Sequence, residues 1–217
     1  CEGEYNRIKI YINGIFASGK MITTINANNS RGIEIGRDFE SDTSANYYNG
    51  ILADLRFYET ALTSDTIQKI INEGKGNIMM SNINDNSYNQ QPNLKNGLIG
   101  HWELNQAEGD IVYDSSGYRN KGTLTNMDTA TDWISGRNSI GYCLDFDGSN
   151  DYINVNDFSG YNFEAMTVSA WVNARHWPST GTAIASQWGE PGAGNAAWGL
   201  RYGGDSIQFS TWNLSYE

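Results

Sequence analysis

The sequence predicts an all-β protein, an antiparallel sandwich or barrel with one short helix. Three observations carry that expectation. Short runs of alternating apolar and polar residues recur along the chain, separated by Gly-containing turns. Glycine is frequent, 24 of 217 residues, whereas proline numbers only 3. Stretches rich in Ala, Leu, Glu and Lys, which a helical bundle needs, are scarce.

Residues 7–12 alternate with period two and stop at Asn13-Gly14. Asn-Gly accepts positive φ at both positions of a two-residue hairpin, so Ile15-Phe16 begins the return strand. Residues 17–32 read as polar turns and 33–35 as a short strand. Residues 37–48, with Asp38, Glu40, Asp42 and Asn46, read as a loop. Asn49-Gly50 reads as a second turn before a strand over 51–58. Thr63 or Ser64 caps a helix, with Asp65 at its positive end and Ile67, Ile70 and Ile71 on one face. Gly74 closes it. Residues 75–96 have no periodicity and are rich in Asn, Gln and Ser, which marks a linker.

Beyond the linker the chain is β again. Strands are expected over 98–104, 142–146, 152–155, 166–172, 182–187, 198–202 and 206–209, with turns at Glu108-Gly109, Ser116-Gly117 and Asp147-Gly148. The organisation is therefore a segment 1–76, a linker 77–96 and a segment 97–217. The two segments show no self-similarity. Both ends cut a strand-like pattern, as in an excerpt from a longer polypeptide.

The formal net charge is -11. No Lys/Arg cluster offers a phosphate-binding surface, which excludes nucleic acid as a partner class. No apolar run is long enough for a membrane-spanning helix. The two cysteines, Cys1 and Cys143, lack the spacing of a zinc site. Cys143 reads as a small buried hydrophobe, and a bridge to Cys1 stays open.

Catalysis is not expected. Glycosidic cleavage needs two facing carboxylates. The nearest grouping, Glu34, Asp38 and Glu40, crosses a Gly-containing turn and does not put three acids on one strand face. His101 occupies an alternating strand position and is expected to pack; His176 lies in a loop. Trp171 and Trp198 are expected in the core. Trp177 and Trp188 flank Pro- and Gly-rich loops; with Tyr202 and Arg201 they are the candidate ligand-binding residues, because sugars stack on aromatic faces beside orienting polar groups. Asp114-Ser115-Ser116-Gly117, with Asn120, supplies oxygens either for an Asx-turn or for a calcium ion. Asp147, Asn150 and Asp151 form a second oxygen-rich turn. Asn28 and Asn213 fall in glycosylation sequons that an Asn-rich chain produces by chance.

The second segment, NGLIGHWELNQAEGDIVYDSSGYRNKGTLTN followed by YCLDFDGSNDYINV and MTVSAWV, resembles the opening half of a laminin-G-like domain of the concanavalin A-like lectin/glucanase superfamily. The first segment is similar to the closing half, in RIKIYINGIFASG, GIEIGRDF and YNGILADLRFYETALTSDTIQKI. The resemblance implies a jelly-roll β-sandwich with its halves in reversed order: the C-terminal half of one module followed by the N-terminal half of the next, cut from a tandem array, or two halves, 1–76 and 97–217, that pair with each other as a circularly permuted sandwich. It implies a non-catalytic extracellular or cell-surface module that binds carbohydrate or protein beside neighbouring modules of the same polypeptide. It also implies a structural calcium held by Asp114 and Asn120 and reached by Asp54, although Ala53 and Asn105 stand where acids are frequent. A spacer in a tandem array and part of a glycoside hydrolase are the competing readings.

Overall fold

The computed structural model describes residues 6–22, 32–41, 44–74, 93–136, 141–156, 158, 165–176, 182–187, 197–204 and 206–212. The first segment holds β1 (Asn6–Ile12), β2 (Ile15–Ile22), β3 (Ile33–Ile35), β4 (Arg37–Ser41), β5 (Ser44–Tyr47), β6 (Asn49–Tyr58) and α1 (Ser64–Gly74). The second holds β7 (Leu98–Trp102), β8 (Ile111–Val112), β9 (Gly122–Thr125), β10 (Trp133–Ser135), β11 (Tyr142–Asp147) and β12 (Tyr152–Val155). It continues with β13 (Thr167–Ala174), β14 (Thr182–Gln187), β15 (Ala197–Gly203) and β16 (Ser206–Trp212).

Two antiparallel sheets stack into a sandwich. One runs β10-β11-β6-β13, with β7 also on β6. The other runs β16-β15-β14-β3-β12-β9-β8. The long strand β6 takes β13 along one edge, and β11 then β7 along the other. In the second sheet β3 lies between β12 and β14. Strands of the first segment are thus inserted between strands of the second, and the two segments build one sandwich. Register explains why. A period-two strand buries one whole face, and β6 and β3 each find an apolar face to continue.

The core lies between the sheets. Ile33, Ile35, Leu52, Phe57, Trp102, Leu144, Phe146 and Ile153 are buried there. Phe57 packs on Trp102, Phe158 and Trp198 with ring centroids 5.3–5.9 Å apart, within the range of favourable edge and tilted contacts. Cys143 is buried with a free thiol; Cys1 lies outside the described residues.

A smaller cluster forms where α1 covers β6 and β7, with Ile70 against Tyr58 and Leu98. Thr63 caps the helix, its Oγ accepting the amide of Thr66 at 3.3 Å. Asn13 and Gly14 have φ of 52° and 78°, the hairpin turn the sequence announces. Gln68 of α1 donates to the Gly14 carbonyl at 2.7 Å and ties that turn to the helix.

Three expectations are corrected. Residues 37–41 and 44–47 do not belong to a loop but form the antiparallel pair β4–β5. Their charges misread as exposure: Asp38 is fully buried and paired with Arg201. Asn49-Gly50 is not a turn but the start of β6. Gly50, at φ 147°, is needed for close approach, because a Cβ there would stand 2.4 Å from the Asn173 carbonyl oxygen. β2 also continues through the polar residues to Ile22. The linker residues 75–92 lie outside the described residues.

Candidate functional site

Asp54 is the one non-glycine position of β6 with positive φ, at 50°. Across from it the β6–β13 register shifts between Ser169 and Trp171, the mark of a bulge. Released from the regular ladder, the Asp54 amide donates to the Glu103 carbonyl at 3.1 Å. Residues two apart on a strand share a face, so Asp54 meets Arg56, which grips it with Nε at 2.8 Å and Nη2 at 3.0 Å. Arg56 sits opposite His101 in the β6–β7 register. His101 Nε2 therefore reaches Asp54 Oδ1 at 2.7 Å. Arg56 also stands 3.5 Å from Glu73 of α1.

The chain of contacts continues to solvent. The Ser115 hydroxyl lies 2.9 Å from His101 Nδ1, and the Ser115 amide donates to the His101 carbonyl at 2.9 Å. Burial alone would push the Asp54 carboxyl up, but the hydrogen bonds from His101 and Arg56 outweigh it and hold Asp54 below the usual carboxylate range. With Asp54 ionised, Nε2 donates to it, while the Ser115 hydroxyl lies beside Nδ1 and donates to the His101 carbonyl at 3.2 Å. His101 was expected to pack; instead it is the middle of a Ser115–His101–Asp54–Arg56 relay. Sequence reasoning missed this because the partners lie 14 and 47 residues away. The polar side chain two after Asp54 was the only local signal.

Asp114 and Asn120 act as staples. Asp114 Oδ1 accepts the amides of His101 at 2.9 Å and Ser116 at 2.8 Å, and Oδ2 accepts the amide of Asn120 at 2.9 Å. Asn120 donates its side-chain amide to the Ile99 carbonyl, and its own carbonyl accepts the Trp102 indole N–H at 2.7 Å. This donor set does not suit calcium. Asp114 faces three N–H donors, and Asp54 faces a guanidinium and an imidazole rather than a gap among oxygens. Among the described residues no group of three or more His, Cys, Asp or Glu side chains is placed to hold a metal ion.

The staples hold a loop that presents two aromatic rings. Tyr113 is 66% exposed and Tyr118 is 55% exposed, on either side of the Asp114–Gly117 turn. Neither ring stood out in the sequence, because an aromatic beside a turn reads equally as core. The amides of Ser115, Ser116, Tyr118 and Asn120 are all donated within the site, to the His101 carbonyl, Asp114, the Ser116 hydroxyl and Asp114.

The other expected binding residues are placed elsewhere. Tyr202 belongs to the core at 1% exposure; its ring packs edge-on against Tyr48 at 5.2 Å, so it offers no face to a ligand. Burial raises its phenol above the usual range. Arg201 is committed to buried Asp38. Trp198 is core as expected, its indole donating to Gln187 at 3.0 Å. Trp177, Trp188, Glu190, Asn28 and Asn213 lie outside the described residues. The acids Glu34 and Asp38 are each held by an arginine, Arg37 and Arg201. In the second oxygen-rich turn Asp147 accepts the Ser149 amide at 2.7 Å, and Asp151 accepts the Asp147 amide at 2.9 Å.

No curated protein and no solved structure matches the chain. A laminin G family model does match, over residues 3–68, the stretch that carries β1 to β6 and the start of α1. Over those residues the chain is similar to the laminin G family of the concanavalin A-like lectin/glucanases superfamily, and the antiparallel sandwich agrees with the fold that this similarity implies.

Proposed function

We propose that the chain is a non-catalytic, extracellular or cell-surface binding module that holds carbohydrate at the loop 113–120, beside neighbouring modules of the same polypeptide. One observation carries this reading: two exposed tyrosine rings flank a turn that is stapled to the sandwich. Sugars bind by laying C–H faces on aromatic rings while nearby polar groups fix orientation, and a rigid platform loses little entropy on binding. Ser115 and His101 supply orienting groups beside those rings. The commitment of the loop's amides supports a non-catalytic role. Although Ser115, His101 and Asp54 stand in the order of a nucleophilic relay, the N–H groups of Ser115, Ser116, Tyr118 and Asn120 beside it are already donated within the loop.

A glycan array probed with the 217-residue chain tests the reading. Selected glycans are retained, and Tyr113→Ala or Tyr118→Ala lowers affinity at least about tenfold, about 1.4 kcal/mol, with an unchanged circular dichroism spectrum. A chain that retains no glycan is a structural spacer instead. Release of reducing sugar that vanishes in Glu34→Gln or Glu190→Gln would make it part of a glycoside hydrolase.

A further inference from the structure

The loop that presents Tyr113 and Tyr118 also gathers positive charge. The whole chain has a formal net charge of -11, yet residues 113–121 hold Arg119 and Lys121 against a single acid, Asp114. Both oxygens of that acid are taken up by the backbone amides of His101, Ser116 and Asn120. Arg37, Arg56, Arg175 and Arg201 are each held by a carboxylate. Arg119 and Lys121 stand exposed. The β8–β9 register places them against the rings. Ile111 faces Thr123 and Val112 faces Gly122, so the next step of that ladder sets Tyr113 opposite Lys121. Burial alternates in step: Val112, Asn120, Gly122 and Leu124 are buried, whereas Tyr113, Arg119, Lys121 and Thr123 are exposed. Side chains opposite each other on one sheet face have Cβ atoms about 5 Å apart, within reach of a lysine from the neighbouring ring. Arg119 has φ of 64°, and the Lys121 amide donates to its carbonyl at 2.9 Å, which fixes the spacing of the two cations. Beyond Asp114 the next acid along this strand is Asp110, three residues from Tyr113, about 10 Å by strand rise and about one screening length at 0.1 M salt.

We propose that the sugar held at this loop is acidic, a uronate whose ring lies on Tyr113 and Tyr118 and whose carboxylate is met by Arg119 and Lys121. The inference rests on the carbohydrate-binding reading above and names the class of sugar. The chemistry selects it. A guanidinium presents a planar fork of N–H donors that matches a carboxylate, and an ammonium adds a compact point charge. A pyranose ring bearing a carboxylate uses both features at once, its C–H face on an aromatic ring and its acid toward the cations. In a chain with so large a negative charge, an anion is repelled from most of the surface, so a local pair of cations decides where it docks. Two cations are too few to hold a polyphosphate backbone, which needs a row of them.

The probes are short oligomers of galacturonate, glucuronate and mannuronate, each beside its carboxyl-reduced, neutral counterpart. Calorimetry on the 217-residue chain is expected to show at least one uronate bound at least about tenfold more tightly than its neutral counterpart. The double variant Arg119→Gln with Lys121→Gln should bring that uronate down to the level of the neutral oligomer and leave the neutral oligomer's affinity unchanged. Both residues are exposed, so the circular dichroism spectrum stays the same. Tyr113→Ala should weaken both oligomers alike. Raising salt from about 0.05 M to about 0.5 M should weaken the uronate at least about threefold and spare the neutral oligomer. Equal binding of every uronate and its reduced counterpart overturns this inference and leaves the carbohydrate reading standing. Binding of neither form overturns both. A sulfated oligomer bound more tightly than every uronate, or a glutamate peptide of the same charge bound equally well, also overturns it, because charge alone would then be recognised.

Discussion

Asp151 is nearly enclosed, at 3% exposure, and accepts the Asp147 amide. Burial, with the like charges of Asp147 and Asp132 nearby, pushes its carboxyl from the ordinary 3.8 up to about 6. The folded chain therefore holds a proton there that the unfolded chain has already lost. The sign follows from linkage: a raised acid favours folding at low pH, and that contribution is lost as pH rises from about 4 to about 6. Asp151→Asn keeps an oxygen for the Asp147 amide and removes the charge. Its expected effect is a gain of about 1–2 kcal/mol at pH 8 and almost none at pH 4, read from urea midpoints at both values. An equal loss at both would mean that the side chain matters by shape alone. Asp54 works in the opposite sense. Its lowered carboxyl contributes stability above the unfolded value and surrenders it as pH falls, so the two acids oppose each other across the acid range.

At the scale of elements, hairpin β1–β2 and helix α1 were legible because their signals are local. Asn13-Gly14 sets a turn through its own φ angles, and Thr63 satisfies an amide three residues on. Thr63→Ala should cost about 1 kcal/mol, seen as a lower thermal midpoint and faster amide exchange in the first turn of α1. No change would show that Ile70 in its contact with Tyr58 and Leu98 holds the helix unaided. The β4–β5 pair was not legible, and Asp38 is the reason. A buried carboxylate is costly unless paired, and its partner Arg201 is supplied by β15, far along the chain. Gly50 misled for a related reason. Asn-Gly marks a turn when the following backbone is free, but here β13 closes on it and the glycine serves the contact.

The whole molecule is a sandwich whose two segments interleave. β6 joins β7, β11 and β13, and β3 joins β12 and β14. Breaking the chain between 76 and 97 should therefore leave the fragments associated. Co-expressed 1–76 and 97–217 are expected to co-elute on gel filtration with the circular dichroism spectrum of the intact chain. Fragments that elute separately would mean that the interleaved pairings do not hold in solution.

The amino-acid pattern by itself determined the sheet-rich class, most of the described strand positions, helix α1 and the similarity of the first segment to the laminin G family. Those properties rest on alternation, turn residues and caps, which act over a few positions. Tertiary structure alone decided which strands neighbour one another and which charges are sequestered. It withdrew Tyr202 from the surface and exposed Tyr113 and Tyr118. It also drew Ser115, His101 and Asp54 into one relay. These are outcomes of side chains brought together from distant parts of the chain, where burial and charge pairing outweigh anything that local spacing can express.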